Sequence, residues 1–174
     1  MHAVKSNELQ IPTGVRLHYL EAGRGATLVL LPGWSQTAAM FSQTIDALGN
    51  RYHVIALDHR GHGDSEKVEH GYHVARLAMD LREFLIALDL NQVTLLGHSM
   101  GAAVIFAYIQ LFGTDRLGAV VLDDQPAALT LSDAESHNGM LQACRATRCA
   151  ERKVVAGETS TSAELLATIM ITRR

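Results

Sequence analysis

The sequence predicts an α/β protein: a doubly wound, mostly parallel sheet with helices on both faces. Three observations carry this reading. Short continuous apolar runs, TLVLL at 27–31, HVIAL at 53–57, VTLL at 93–96 and AVVL at 119–122, fit strands buried on both faces. Segments of helical spacing alternate with them, which makes βαβ units. The chemically unusual segments, residues 32–35, 58–65 and 97–101, all follow such runs, where the carboxyl ends of parallel strands place function.

Each element has its own justification. Residues 15–20 alternate as Val-Arg-Leu-His-Tyr-Leu and predict a strand. The run at 27–31 is stopped by Pro32-Gly33. Met40, Phe41, Ile45 and Leu48 have helical spacing over 38–48, and Gly49-Asn50 ends that helix. The strand at 53–57 leads into the glycine-rich DHRGHGDS. A helix is predicted over 74–90, with Leu77, Leu81, Phe84, Leu85 and Leu88 on one face; Asp80, Arg82, Glu83 and Asp89 read as its solvated face. The strand at 93–96 runs into Gly97, an apolar helix covers 102–112, and the strand at 119–122 ends in Asp123-Asp124.

Beyond Pro126 the character changes. The last aromatic residue is Phe112, and the segment from Gln142 onward is rich in Arg, Ala, Ser and Thr without clear periodicity. Two segments are therefore expected: a core over 1–130 and an irregular or helical tail over 131–174. In the tail, Ser132 or Asp133 could start a helix, and Ser162 could cap one running to Met170.

Composition narrows the function classes. With 174 residues, 48% hydrophobic and 19% charged, the chain can bury a core without staples. A net charge of -3 argues against nucleic acid or an anionic membrane as partner. Cys144 and Cys149 lack a metal or redox spacing and read as reduced bystander thiols. The first residues hold no apolar signal region, and no run is long enough for a membrane span, so a cytoplasmic location is expected. The pairs His59/His62 and His70/His73 lack neighbouring ligands at zinc spacing, and no metal is expected there.

Gly97-His98-Ser99-Met100-Gly101 follows a buried strand and precedes a helix, the context that a G-x-S-x-G nucleophile elbow needs. Glycine at both ends permits a turn too tight for a Cβ. Such a turn lifts the Ser99 hydroxyl clear of the sheet. It also sets the Met100 N–H at a helix N-terminus, where it can stabilise a developing oxyanion.

With these residues in view, 10–130 resembles the α/β-hydrolase family, in its esterase, lactonase and cofactor-free haloperoxidase-like branch. Leu31-Pro32-Gly33-Trp34 is similar to the loop after the family's third strand. Asp58-His59-Arg60-Gly61-His62-Gly63-Asp64-Ser65 resembles its D-x-R-G-x-G-x-S segment, and the elbow is the third match. The resemblance implies Ser99 as nucleophile, an oxyanion hole from the N–H groups of Trp34 and Met100, a small-molecule acyl substrate and no cofactor. Asp58, Arg60, Gly61 and Gly63 are expected to brace the neighbouring loop rather than react.

A serine nucleophile needs a base and an orienting acid. After Ser99 the only histidine is His137, and Asp123 or Asp124 could supply the acid. His137 lies in DAESHNG, a polar segment unlike the family's histidine position, so a surface histidine is the competing reading. The fold expected is thus an α/β-hydrolase lacking its last strands, consistent with a truncated or frame-shifted product. Loss of those strands would expose an apolar sheet edge, which the tail must cover or which invites self-association. The leading expectation is a serine hydrolase of an ester, lactone or related acyl compound. The alternatives are a catalytically silent fragment and a cofactor-free haloperoxidase- or dioxygenase-like member.

Overall fold

The structure, a computed structural model, describes residues 3–123 together with Ile171–Thr172. Its strands are β1 (Lys5–Gln10), β2 (Arg16–Ala22), β3 (Thr27–Leu31), β4 (His53–Leu57), β5 (Val93–His98), β6 (Leu117–Asp123) and β7 (Ile171–Thr172). Its helices are α1 (Ser42–Leu48), α2 (Val74–Ala87) and α3 (Met100–Phe112). They form one sheet in the order β1-β2-β4-β3-β5-β6-β7. The four central strands β4, β3, β5 and β6 are parallel. The strand predicted at 15–20 is β2, and it pairs antiparallel to both β1 and β4.

Side-chain alternation along the parallel strands explains the two covered faces. Leu28, Leu30, Val54 and Ala56 point to one side, where they pack with Phe41, Ile45 and Leu48. Val29, Leu31, Ile55 and Leu57 point to the other, against Leu77, Leu81 and Phe84 of α2 and Val104, Ile105 and Tyr108 of α3. A strand that must be apolar on both faces reads as an unbroken apolar run, which is why β3 and β4 were legible.

Several boundaries differ from expectation. The helix expected over 38–48 is a 3-10 turn at Ala38–Phe41 followed by α1. Strand β1 went unpredicted because KSNELQ buries no full apolar stripe; it is an outer strand of the sheet, and most of its residues are exposed. Two residues of the tail, Ile171 and Thr172, pair antiparallel with Val120 and Ala119 on the outer side of β6. The other features expected beyond residue 123, including Asp124, His137 and the helices of the tail, lie outside the described residues.

One reading is corrected. Asp80 is not on the solvated face of α2: it is 3% exposed and forms a buried ion pair with Arg60. Three residues after Leu77 and four before Phe84, it falls on the buried stripe of the helix. The Arg60 fork meets both carboxylate oxygens, through Nε to Oδ2 and through Nη2 to Oδ1 at 2.6 Å. Arg76 adds Nη2 to Oδ1 at 2.7 Å. The charge of Asp80 is thereby compensated inside the protein, and α2 is tied to the loop after β4.

Removal of one partner leaves the other charge buried and unpaired. Asp80→Ala is expected to cost about 3–5 kcal/mol. Urea unfolding of the variant beside the unaltered protein measures it; a loss below about 1 kcal/mol would contradict the ion pair as described.

Candidate active site

Strand order reverses between β3 and β5: β4 lies on one side of β3, and β5, the next strand in the chain, lies on the other. Loops leaving the carboxyl ends of β3 and β5 therefore diverge and open a crevice. Leu31 and Gly97 are paired residues at that end, so residues 32–36 and the Gly97–Gly101 elbow start side by side.

Ser99 sits at the tip, between β5 and α3, with φ 49° and ψ −116°. An L-residue held there is strained by about 1–3 kcal/mol, tolerated only where the surroundings over-determine it. Those surroundings are specific. The Ser99 N–H donates to the Asp123 carbonyl at 3.0 Å, and the Ala102 N–H donates to the Ser99 carbonyl at 2.9 Å. Gly101 lies so close to β3 that a Cβ there would collide with the Leu31 carbonyl. A Cβ at Gly33 would lie 3.1 Å from the Ser99 Cβ, which shows how closely the β3 loop approaches the elbow.

Residues 33–36 form a tight turn. The Gln36 N–H donates to the Gly33 carbonyl at 3.3 Å, and Ser35 takes φ 56°. The Gln36 side chain turns back to accept the Gly33 N–H at 2.9 Å. Among the described residues, the N–H groups of Trp34 and Met100 meet no acceptor. One lies within this turn and the other opens α3, where the helix dipole favours negative charge. Trp34 is 62% exposed, so it is not a core residue; its ring stands edge-on to His62, with 5.4 Å between ring centroids. Trp34, His62 and Tyr72 help to line a groove of about 440 Å³.

His98 turns from the elbow to β6, where its Nδ1 donates to Asp123 Oδ2 at 3.0 Å. Asp123, one of the two acids expected from the sequence, is thus engaged by an elbow residue. Ser99 makes no side-chain hydrogen bond among the described residues.

The DHRGHGDS segment braces the β3 loop, as the family resemblance implies. Asp58 Oδ1 accepts the Ala38 N–H at 2.6 Å, and Oδ2 accepts the Asp64 N–H at 3.0 Å and His18 Nδ1 at 2.7 Å. His18, Asp58 and Asp64 bring ligand atoms within 4.8 Å of one another, but these hydrogen bonds already occupy both Asp58 oxygens. His59, which sequence reasoning did not assign, donates from Nε2 to the Pro32 carbonyl at 3.2 Å and so holds the base of the loop after β3. Its position directly after Asp58 was the available signal.

His59 is buried, and burial first, then the nearby His62, hold its pKa down at about 4. Its proton affinity is therefore lower in the folded protein than in the unfolded chain. The stability of the neutral form is complete above pH 6.5 and declines as the pH falls from 6.5 towards 4, because only the unfolded chain takes up the proton. Denaturant unfolding across this range should show a His59 contribution of about 1.4 kcal/mol per pH unit, absent in His59→Gln. An unchanged slope in that variant would contradict the burial of a neutral imidazole.

Comparison with known proteins agrees with this geometry. A family model described as alpha/beta hydrolase fold matches residues 26–169. The chain is 39% identical over 123 residues to a soluble epoxide hydrolase of Corynebacterium sp. (strain C12), covering 70% of this chain and 42% of that protein. It is 38% identical over 122 residues to a non-heme chloroperoxidase of Kitasatospora aureofaciens, covering 69% and 44%. Among solved structures, an esterase from Exiguobacterium antarcticum superposes with a TM-score of 0.70 at 25% identity, covering 83% of this chain and 57% of that one. The chain thus spans less than half the length of the two curated relatives. No helix among the described residues is long and apolar enough to cross a membrane. An elbow at the switch point of a doubly wound sheet, with the family match over most of its length, makes this chain a member of the α/β-hydrolase fold family.

Proposed function

We propose that the chain is a serine hydrolase acting on a carboxylic ester, a lactone or a related acyl compound. The observation that carries this reading is the juxtaposition of strained Ser99 with the unpartnered N–H groups of Trp34 and Met100. Ser99 Oγ would attack the substrate carbonyl. The oxygen, becoming negative, would move between the two N–H groups, which need no reorganisation to receive it. His137 is the base we assign from the sequence, passing the Ser99 proton to the leaving group. Asp123 already accepts from His98, which favours Asp124 as the acid that orients His137. Water then cleaves the acyl-enzyme.

The chemistry of serine also bears on what the relatives are named for. Oγ attack on an epoxide carbon would form an alkyl ether as the ring oxygen leaves and takes a proton. Water does not cleave that ether, so turnover would stop after one event. A carbonyl substrate instead leaves an ester, which water cleaves. Ser99 therefore supports acyl transfer over the activity named for the Corynebacterium relative. The chloroperoxidase relative favours a second reading, cofactor-free oxidative chemistry on the same site; product analysis with and without oxygen separates the two. A catalytically silent chain is favoured by one observation: Ser99 has no side-chain partner among the described residues.

Labelling with a fluorophosphonate, followed by tryptic mapping, tests the proposal. The adduct should lie on the peptide spanning 83–116, which contains Ser99, and be lost in Ser99→Ala. Hydrolysis of p-nitrophenyl acetate should fall by about 10⁴-fold or more in that variant. A folded protein with no adduct on 83–116 would put the silent reading in its place.

A further inference from the structure

The structure contains a serine–histidine–aspartate relay that lies apart from Ser99. Ser6, on β1, lies 2.9 Å from His18 Nε2. His18 Nδ1 lies 2.7 Å from Asp58 Oδ2. Four strand steps separate β1 from β5, roughly 19 Å, so the two serines cannot share a base.

The tautomer follows from the partners. An ionised carboxylate only accepts, so the proton of His18 sits on Nδ1 and points at Asp58. Nε2 then presents its lone pair to the Ser6 hydroxyl, the arrangement a general base requires. The imidazole is held firmly. His18 is 5% exposed, its N–H donates to Ser65 Oγ at 2.8 Å, and its carbonyl accepts the Asp58 N–H at 3.0 Å. Asp58 is 2% exposed and held by the N–H groups of Ala38 and Asp64. The exposed Asp64 carboxylate lies 4.0 Å from Nε2. Ser6 itself is exposed and reachable from solvent.

A neighbouring triplet provides a contrast. His53 reaches Glu21 at 2.7 Å through Nε2 and Thr27 Oγ1 at 3.2 Å through Nδ1. There the hydroxyl is on a branched carbon, half-buried and farther away. Among the described residues, only at Ser6 do an exposed primary hydroxyl, a short contact and a buried carboxylate coincide.

We propose that Ser6 is a second, independent nucleophile, a stoichiometric acceptor of acyl or phosphonyl groups from activated donors. With a fluorophosphonate, the Ser6 Oγ–H proton passes to His18 Nε2 and Oγ bonds to phosphorus. The P–F bond breaks, and fluoride leaves with the bonding pair. Among the described residues the site has no turn-and-helix pair of N–H groups like that beside Ser99, so the group stays on Ser6 rather than turning over.

The test uses full-length Ser99→Ala protein and a fluorophosphonate, with tryptic mapping over time. Lys5 and Arg16 bracket the peptide 6–16, and peptide 25–51 holds the exposed Ser35 and Ser42 as reference hydroxyls. The expected result is an adduct on 6–16, absent in Ser6→Ala/Ser99→Ala, at a rate about 10²-fold or more above peptide 25–51. In folded His18→Gln/Ser99→Ala the rate should fall to that of the reference peptide. Labelling of 6–16 no faster than 25–51, or undiminished without His18, overturns the proposal. Ser99 is read on a different peptide, so either site can fail alone.

Discussion

The first turn of α3 rests directly on the end of β3, and the rest of the site depends on that contact. Only glycine at 101 lets the helix approach the Leu31 carbonyl, and Gly33 lets the β3 loop approach Ser99 in return. The switch in strand order alone opens a crevice; the close approach sets at its edge a hydroxyl and two N–H groups that meet no acceptor among the described residues. Strain at Ser99 is the consequence. It persists because the Ser99 N–H is tied to β6 and its carbonyl to α3, so relaxing φ would break bonds on both sides.

Behind the site lies a polar scaffold that is buried and satisfied. Asp58 links β2, the turn before α1 and the loop after β4, while Arg60 and Asp80 link that loop to α2. No buried side-chain nitrogen or oxygen among the described residues lacks a partner. Truncating one member of such a network leaves another group desolvated and unpaired, so its members act together. The same scaffold gives Asp58 two uses: it holds the loop that positions Trp34, and it orients His18 towards Ser6.

Much of the fold was legible because burial on two faces writes itself as unbroken apolar runs. β3, β4, β5 and β6 fall where TLVLL, HVIAL, VTLL and AVVL predict them, and the elbow follows β5. β1 was silent because an outer strand needs little apolar surface; its pairing with β2 supplies the hydrogen bonds that keep it in place. Asp80 misled because an acidic residue normally marks a solvated face, whereas its place in the helical period and the partner Arg60, twenty residues earlier, put it inside. His59 and His18 were equally hidden: their roles arise from contacts with Pro32 and Asp58, across strands and loops that no local pattern encodes. Asp124 and His137, assigned from the sequence, lie outside the described residues.

A crystal structure of the protein after reaction with a fluorophosphonate tests the central claim most directly. The account predicts phosphorus bonded to Ser99 Oγ, with one phosphonyl oxygen about 2.7–3.1 Å from the N–H nitrogens of both Trp34 and Met100. A phosphonyl oxygen turned away from both groups, or an unmodified Ser99 in a fully reacted crystal, would contradict it.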